Sequence, residues 1–145
     1  MRRRNRLKRE TPRLEDYLEA IYQLIHDKGY ASTIEISEKL RVKSPSVSSM
    51  IEKLDAGGYL VHEPYRGMRL TEKGDEVAKS VILRHRTIQE LLSLLGVEED
   101  VAYRDAEGAE HNLDPTTIER LGRLVKFLKD NPEQLRAIKK GIDTQ

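Results

Sequence analysis

Cysteine is absent from all 145 residues. That excludes disulfides, cysteine nucleophiles and thiolate metal sites, and it suits a cytoplasmic protein. Aromatic residues make up only 5% of the chain and charged residues 35%, a soluble and helix-leaning balance. No apolar run reaches the roughly 20 residues that a membrane helix needs. The N-terminus is basic but has no apolar segment behind it, so it does not read as a secretory signal. The length suits one ordinary domain, or two small ones sharing a core.

What is present is charge, unevenly placed. The net charge is +1, yet residues 1–9 (MRRRNRLKR) hold six basic residues and no acid. The remainder carries 20 basic against 25 acidic residues. A basic arm on an acidic body points to a polyanion partner, or else to a solubilising tail.

Apolar spacing sets out the elements. Leu14, Tyr17, Leu18, Ile21, Leu24 and Ile25 recur at helical intervals, predicting a helix from Pro12 to about Asp27. Ser32 with Glu35 is a capping-box pattern that opens a short helix to about Leu40. Ser44-Pro45 reads as an N-cap followed by proline at the first helical position of a third helix, which Gly57-Gly58 stops. Two short runs, Tyr59–His62 and Met68–Leu70, flank a turn with Pro64 and Gly67 and predict a hairpin. Thr71 caps a long helix to about Gly96, and another helix covers about Glu98 to His111. Asp114-Pro115 starts a helix to about Asp130, and Asn131-Pro132 breaks the chain before a last short one. The expected fold is mainly α with a small β-wing. Residues 1–10 form the basic arm, 11–75 a winged helix-turn-helix, and 76–145 an all-α metal-binding and dimerisation domain.

Three short helices followed by a hairpin make a winged helix-turn-helix, whose third helix lies in the major groove while the wing touches the backbone. Here that helix offers Lys43, Ser44, Pro45, Ser46, Ser48, Ser49 and Lys53, and the wing offers Arg66 and Arg69. Serine hydroxyls suit phosphates and base edges. Residues 10–75 hold nine basic and twelve acidic residues, so the positive charge must be one-sided. Affinity would then be recovered by dimerisation across two half-sites of a double-stranded DNA operator. A winged helix that binds protein is the alternative.

The segment DAEGAEHNLD crowds Glu107, Glu110 and His111 at helical spacing, so they share a face. Asp16 and Glu19 repeat the three-residue spacing on the first helix, and His85 lies mid-way along the long one. Packed together they would supply four carboxylates and two imidazoles, and two divalent ions would balance the repulsion. Hard oxygen without sulfur suits manganese or ferrous iron, although raw affinity favours copper or zinc. Taken singly, each acidic pair also fits a solvated helix face, and His85 a structural histidine. Gly108 costs about 1 kcal/mol relative to alanine inside a helix, a cost that close approach by another element or a metal would explain. His26 and His62 have no carboxylate at ligand spacing and read as non-ligands.

Several stretches carry a resemblance: TPRLEDYLEAIYQLIHDKGYA, SPSVSSMIEKLDAGGYLVHEPYRGMRLTEKG, the RH of LRHR, LLGVEED and DAEGAEHNLD. Together they resemble the diphtheria toxin repressor family of metal-dependent transcriptional regulators, in particular its short manganese-transport branch. The resemblance covers residues 11 to 130. It implies the ligand set Asp16, Glu19, His85, Glu107, Glu110 and His111, binding Mn2+ with two ions per subunit, and Fe2+ as the alternative ion. Iron-sensing relatives carry methionine where Asp16 stands and cysteine where Glu107 stands. Those longer relatives also carry an SH3-like third domain, before which this chain stops. The resemblance further implies a homodimer, for which the stripe Ile118, Leu121, Leu124, Val125 and Leu128 is suited; an ordinary monomer core uses the same pattern. Three departures are the basic arm, Asn112 where a second histidine is expected, and Pro64 in the wing.

The implied function is a manganese-activated repressor of metal-uptake genes, without membrane or organic substrate. Metal bound by both halves would fix the separation of the two recognition helices. Three other readings stand beside it. One is a ferrous-iron regulator of the same fold, and another a winged-helix regulator indifferent to metal. The third is a di-metal carboxylate enzyme, against which stands the lack of a paired Glu-x-x-His repeat.

Overall fold

The computed structural model describes residues 13–63 and 67–145. The basic arm, Pro64 and the wing residue Arg66 lie outside them. The chain divides into two compact units, residues 1–79 and 80–145.

The first unit opens with α1 (Leu14–Lys28), α2 (Thr33–Leu40) and α3 (Ser44–Ala56). A hairpin of β1 (Leu60–Glu63) and β2 (Gly67–Leu70) follows, antiparallel, with Leu60 opposite Leu70 and His62 opposite Met68. The stripe of α1 behaves as its spacing predicts. Tyr17, Leu18, Ile21 and Leu24 are buried against Ile36 of α2, Val47, Ile51 and Leu54 of α3, and Leu60 and Met68 of the wing. Burial also pushes the Tyr17 phenol above its ordinary value, and the neighbouring Asp16 carboxylate adds to the rise. Gly29 closes α1 in the left-handed region at φ 82°, which glycine enters without a Cβ penalty. Ser32 and Glu35 form the expected reciprocal cap of α2.

Two boundaries differ from the sequence reading. The N-cap of α3 is Lys43, whose carbonyl accepts from Ser46 and Val47, so Ser44 is already helical and Pro45 is the second residue. In the hairpin, the first strand is shifted forward by one residue from the expected run, and the second begins one residue earlier but ends at Leu70 as expected.

The long helix α4 (Glu72–Leu94) begins under Thr71, whose hydroxyl accepts from the Gly74 amide at 3.2 Å. A Cβ at Gly74 would lie 1.9 Å from the Tyr59 carbonyl oxygen, so this helix start and the wing require glycine there. Ala78 of α4 completes the first core.

In the second unit, α4 is followed by α5 (Glu99–Ala109), a single 3-10 turn (Glu110–Asn112), α6 (Pro115–Asp130) and α7 (Pro132–Asp143). Ile88, Ala106 and Ile118 form its core, with Leu92, Ala109 and Leu113 packed against them. The helix expected to run to His111 ends two residues earlier. Pro115 forces Asp114 into extended backbone (ψ 145°), Leu113 is extended as well, and the preceding three residues tighten into the 3-10 turn. Asp114 caps α6 as expected, accepting from Thr116 N–H at 2.8 Å.

Candidate metal centre and nucleic-acid interface

The nucleic-acid face is built by the α2–α3 corner. Arg41 ends α2 in the left-handed region at φ 54°, unusual for a residue with a side chain. The Val42 amide donates to the Ser37 carbonyl at 3.1 Å, and the Ser37 hydroxyl donates to the Val42 carbonyl at 2.6 Å. These bonds turn the chain within three residues. On α3, Val47, Ile51 and Leu54 face the core. Lys43, Ser44, Pro45, Ser46, Ser48, Ser49 and Lys53 are all exposed. Arg69 is exposed on the wing, 3.6 Å from the Glu63 carboxylate, so part of its charge is met within the hairpin.

The metal-ligand candidates come from both units. Asp16 and Glu19 lie half-buried on α1 of the first. The Asp16 carboxylate accepts the Arg13 amide at 2.7 Å, so it also caps its own helix.

The second unit brings three candidates into contact. The Glu110 side chain is 1% exposed. Its Oε2 lies 3.0 Å from Nδ1 of His85, and its Oε1 lies 3.4 Å from Nε2 of His111. A buried carboxylate is costly unless positive charge or hydrogen-bond donors meet it. Here both oxygens meet imidazole nitrogens, from a helix 25 residues away and from the next residue. The 3-10 turn makes this possible, since it turns adjacent Glu110 and His111 onto one locus. The donor set is two borderline nitrogens and hard oxygens without sulfur, a fit to a divalent first-row cation.

Glu107 is different: it stands exposed on the last turn of α5. The helical face expected to carry it with Glu110 and His111 is broken at Ala109. Among the described residues Gly108 has no neighbour within 4 Å of a Cβ placed there, so close approach by any of them does not explain it.

Three residues around the triad escaped the sequence reading. Gln89, one helical turn after His85, places Oε1 3.1 Å from Nε2 of that ring. Tyr103 meets the His85 ring edge-to-face, with centroids 4.8 Å apart. The Arg84 guanidinium donates to the Glu110 carbonyl at 3.3 Å and ties α4 to the 3-10 turn. Gln89 alone had a sequence signal, its four-residue spacing from His85.

Of the apolar stripe on α6, Ile118, Val125 and Leu128 are buried within the chain, Leu121 is half-buried, and Leu124 is exposed. Phe127, Ile138 and Ile142 are exposed as well. Among the described residues no helix is long and apolar enough to cross a membrane.

Comparison with known proteins agrees with this arrangement. Residues 10–68 match the family model described as iron dependent repressor, N-terminal DNA binding domain. Residues 71–138 match the iron dependent repressor, metal binding and dimerisation domain. The HTH-type transcriptional regulator MntR of Bacillus pumilus (strain SAFR-032) is 45% identical over 133 residues, 90% of this chain and 92% of that protein. The regulator of the same name from Geobacillus kaustophilus (strain HTA426) is 44% identical over 89% of this chain and 92% of its own length. Among solved structures, the manganese regulator SloR superposes with a TM-score of 0.72 at 34% identity over 81% of this chain. This chain spans only 55% of that longer structure. The winged helix with its exposed serine face, the buried carboxylate between two imidazoles and these matches together place the chain in the iron-dependent repressor family of metal-dependent, DNA-binding transcriptional regulators.

Proposed function

We propose that the chain is a manganese-activated repressor that binds the operators of metal-uptake genes as a homodimer in the cytoplasm. The observation that carries the metal reading is Glu110, a carboxylate buried between the imidazoles of His85 and His111. Asp16, Glu19, His85, Glu107, Glu110 and His111 are the proposed ligands, for two Mn2+ ions per subunit. Bound ions supply the positive charge that four carboxylates require. Two ligands stand on the DNA-binding unit and four on the second. Ligation by both sets couples the units and shifts the dimer towards separations that match two major-groove faces.

Support for manganese is twofold. Relatives of nearly equal length carry the name MntR, and SloR is titled a manganese regulator. The cysteine-free donor set agrees. Fe2+ is the second reading, because oxygen and imidazole donors serve both ions and the matched family models are described as iron dependent. The serine and lysine face of α3 reads the operator, with Arg66 and Arg69 of the wing on the backbone. Leu124 and the half-buried Leu121 supply the accessible part of the dimer stripe, and Ile118, Val125 and Leu128 hold it from beneath.

The test is fluorescence anisotropy on DNA from an uptake-gene promoter, with metal-free protein titrated with Mn2+, with anaerobic Fe2+ and with chelator. A gain of about tenfold or more with Mn2+, inside the usual 5- to 150-fold range of allosteric coupling, supports the proposal. A larger gain with Fe2+ at equal free concentration selects the second reading. Tight binding indifferent to metal and chelator removes the switch.

A further inference from the structure

The free positive charge of the DNA-binding unit is gathered at one corner. Lys28, Arg69 and Lys79 are each met by a carboxylate, and the Lys73 ammonium donates to the Gly57 carbonyl. Lys39, Arg41, Lys43 and Lys53 are exposed and have no carboxylate partner among the described residues. Three of these cations stand on α2 or α3 or at the start of α3, in ordinary backbone. Arg41 does not: it closes α2 at φ 54° and ψ 46°.

Left-handed backbone crowds any Cβ against the following carbonyl oxygen. Glycine enters it freely, and asparagine or aspartate compensates with a local hydrogen bond. Arginine does neither. The backbone N–H of Arg41 donates to the Ser37 and Glu38 carbonyls, a closure that glycine would make equally well. Among the described residues its guanidinium makes no hydrogen bond or ion pair. The side chain therefore strains the turn and returns nothing to the fold. Strained residues of this kind gather at binding sites, where a ligand gives the side chain its use.

We propose that Arg41 clamps a phosphate of the DNA backbone beside the recognition helix; the inference rests on the operator-binding reading above. In a helix-turn-helix the first helix of the pair crosses the backbone, and the second enters the groove. Arg41 ends that first helix and lies outside the serine face of α3, so it meets phosphate and not base edges. A guanidinium suits this task, because two parallel N–H groups match two phosphate oxygens and the charge is permanent. The contact also matters to the balance of the unit. Residues 10–75 carry nine basic against twelve acidic residues, so attraction to DNA depends on the few cations left unpaired.

The experiment compares three variants of the full-length chain. Arg41→Gly removes the charge and the strain, Arg41→Gln removes the charge alone, and Arg41→Lys keeps the charge. Anisotropy titrations with Mn2+ present use the uptake-gene promoter duplex and an unrelated duplex of equal length, each across a salt series. Arg41→Gly and Arg41→Gln should flatten the slope of log affinity against log salt by about 0.9 per copy, or about 1.8 for a dimer using both. They should weaken binding to both duplexes by a similar factor, as loss of a phosphate contact does. Arg41→Lys should keep the wild-type slope. In metal-free melts Arg41→Gly should unfold no lower than wild type, which separates its weaker binding from a folding defect. A wild-type slope in either neutral variant, or a loss confined to the promoter duplex, would overturn the proposal. So would an Arg41→Gly chain that melts below wild type, since the turn itself would then need the arginine. A wild-type chain that binds neither duplex would overturn the operator-binding reading and this inference together.

Discussion

Nδ1 of His85 and Oε2 of Glu110 stand 3.0 Å apart, joined across 25 residues of chain by the packing of α4 against the 3-10 turn. The contact puts a carboxylate where water does not reach. Changing Glu110 to glutamine keeps the shape and removes the charge. Metal-free protein should tolerate this, because a neutral amide costs less to bury than a carboxylate. Metal linkage should not survive. At free Mn2+ about 100-fold above the dissociation constant, wild type gains about 2.7 kcal/mol of stability. Thermal melts should show that gain in wild type and none in Glu110→Gln at the same concentration. An equal gain in both would remove Glu110 from the ligands.

Glu107 provides the contrast, being exposed where Glu110 is buried. Substituting an exposed residue usually changes stability by less than about 0.5 kcal/mol. Glu107→Ala should therefore melt like wild type without metal, remain dimeric, and lose the Mn2+ response in DNA binding. If its DNA binding still requires Mn2+, Glu107 is a surface residue and the site is smaller than proposed.

The division between what the sequence disclosed and what it did not has physical causes. The stripe of α1 and the two faces of α3 were legible because burial in short helices follows a 3.6-residue period. Lys43, Ser46, Ser48 and Ser49 fall on the exposed side that the period assigns, and Val47 and Ile51 on the buried side. The end of α5 was misread because Asp114-Pro115 acts backwards along the chain. It extends Leu113 and tightens residues 110–112, so Glu107 does not share the locus of Glu110 and His111. Tyr103 was missed because it meets His85 from another helix, which no spacing within one segment records, whereas Gln89, one turn along the same helix, had its spacing to show it. The stripe of α6 was ambiguous in kind: the same period serves a core and an interface, and Val125 and Leu128 are core.

Gly74 tests how the wing is attached to α4. A methyl group there would come within 1.9 Å of the Tyr59 carbonyl oxygen, and backbone cannot swing aside as a long side chain can. Gly74→Ala should destabilise the metal-free chain by roughly 1–3 kcal/mol, the usual range for overpacking, despite alanine's better helix propensity. Denaturant melts measure it. A stabilised Gly74→Ala would mean that the start of α4 stands further from the wing.

The exposed cations of the DNA-binding unit differ in availability. Lys43 and Lys53 lie exposed at the start and in the last turn of α3, whereas Arg69 has the Glu63 carboxylate 3.6 Å away. Each phosphate that a side chain neutralises on duplex DNA contributes about 0.9 to the slope of log affinity against log salt. Lys43→Gln should flatten that slope by about 0.9 if the lysine meets one phosphate, and by about twice that for a dimer using both copies. Arg69→Gln should flatten it less, because Glu63 already offsets part of its charge. Glu63→Gln should steepen the slope by releasing Arg69. Anisotropy titrations across a salt series, with Mn2+ held saturating, separate these cases. If Lys43→Gln leaves the slope unchanged while Arg69→Gln flattens it, the wing and not the front of α3 neutralises the phosphates.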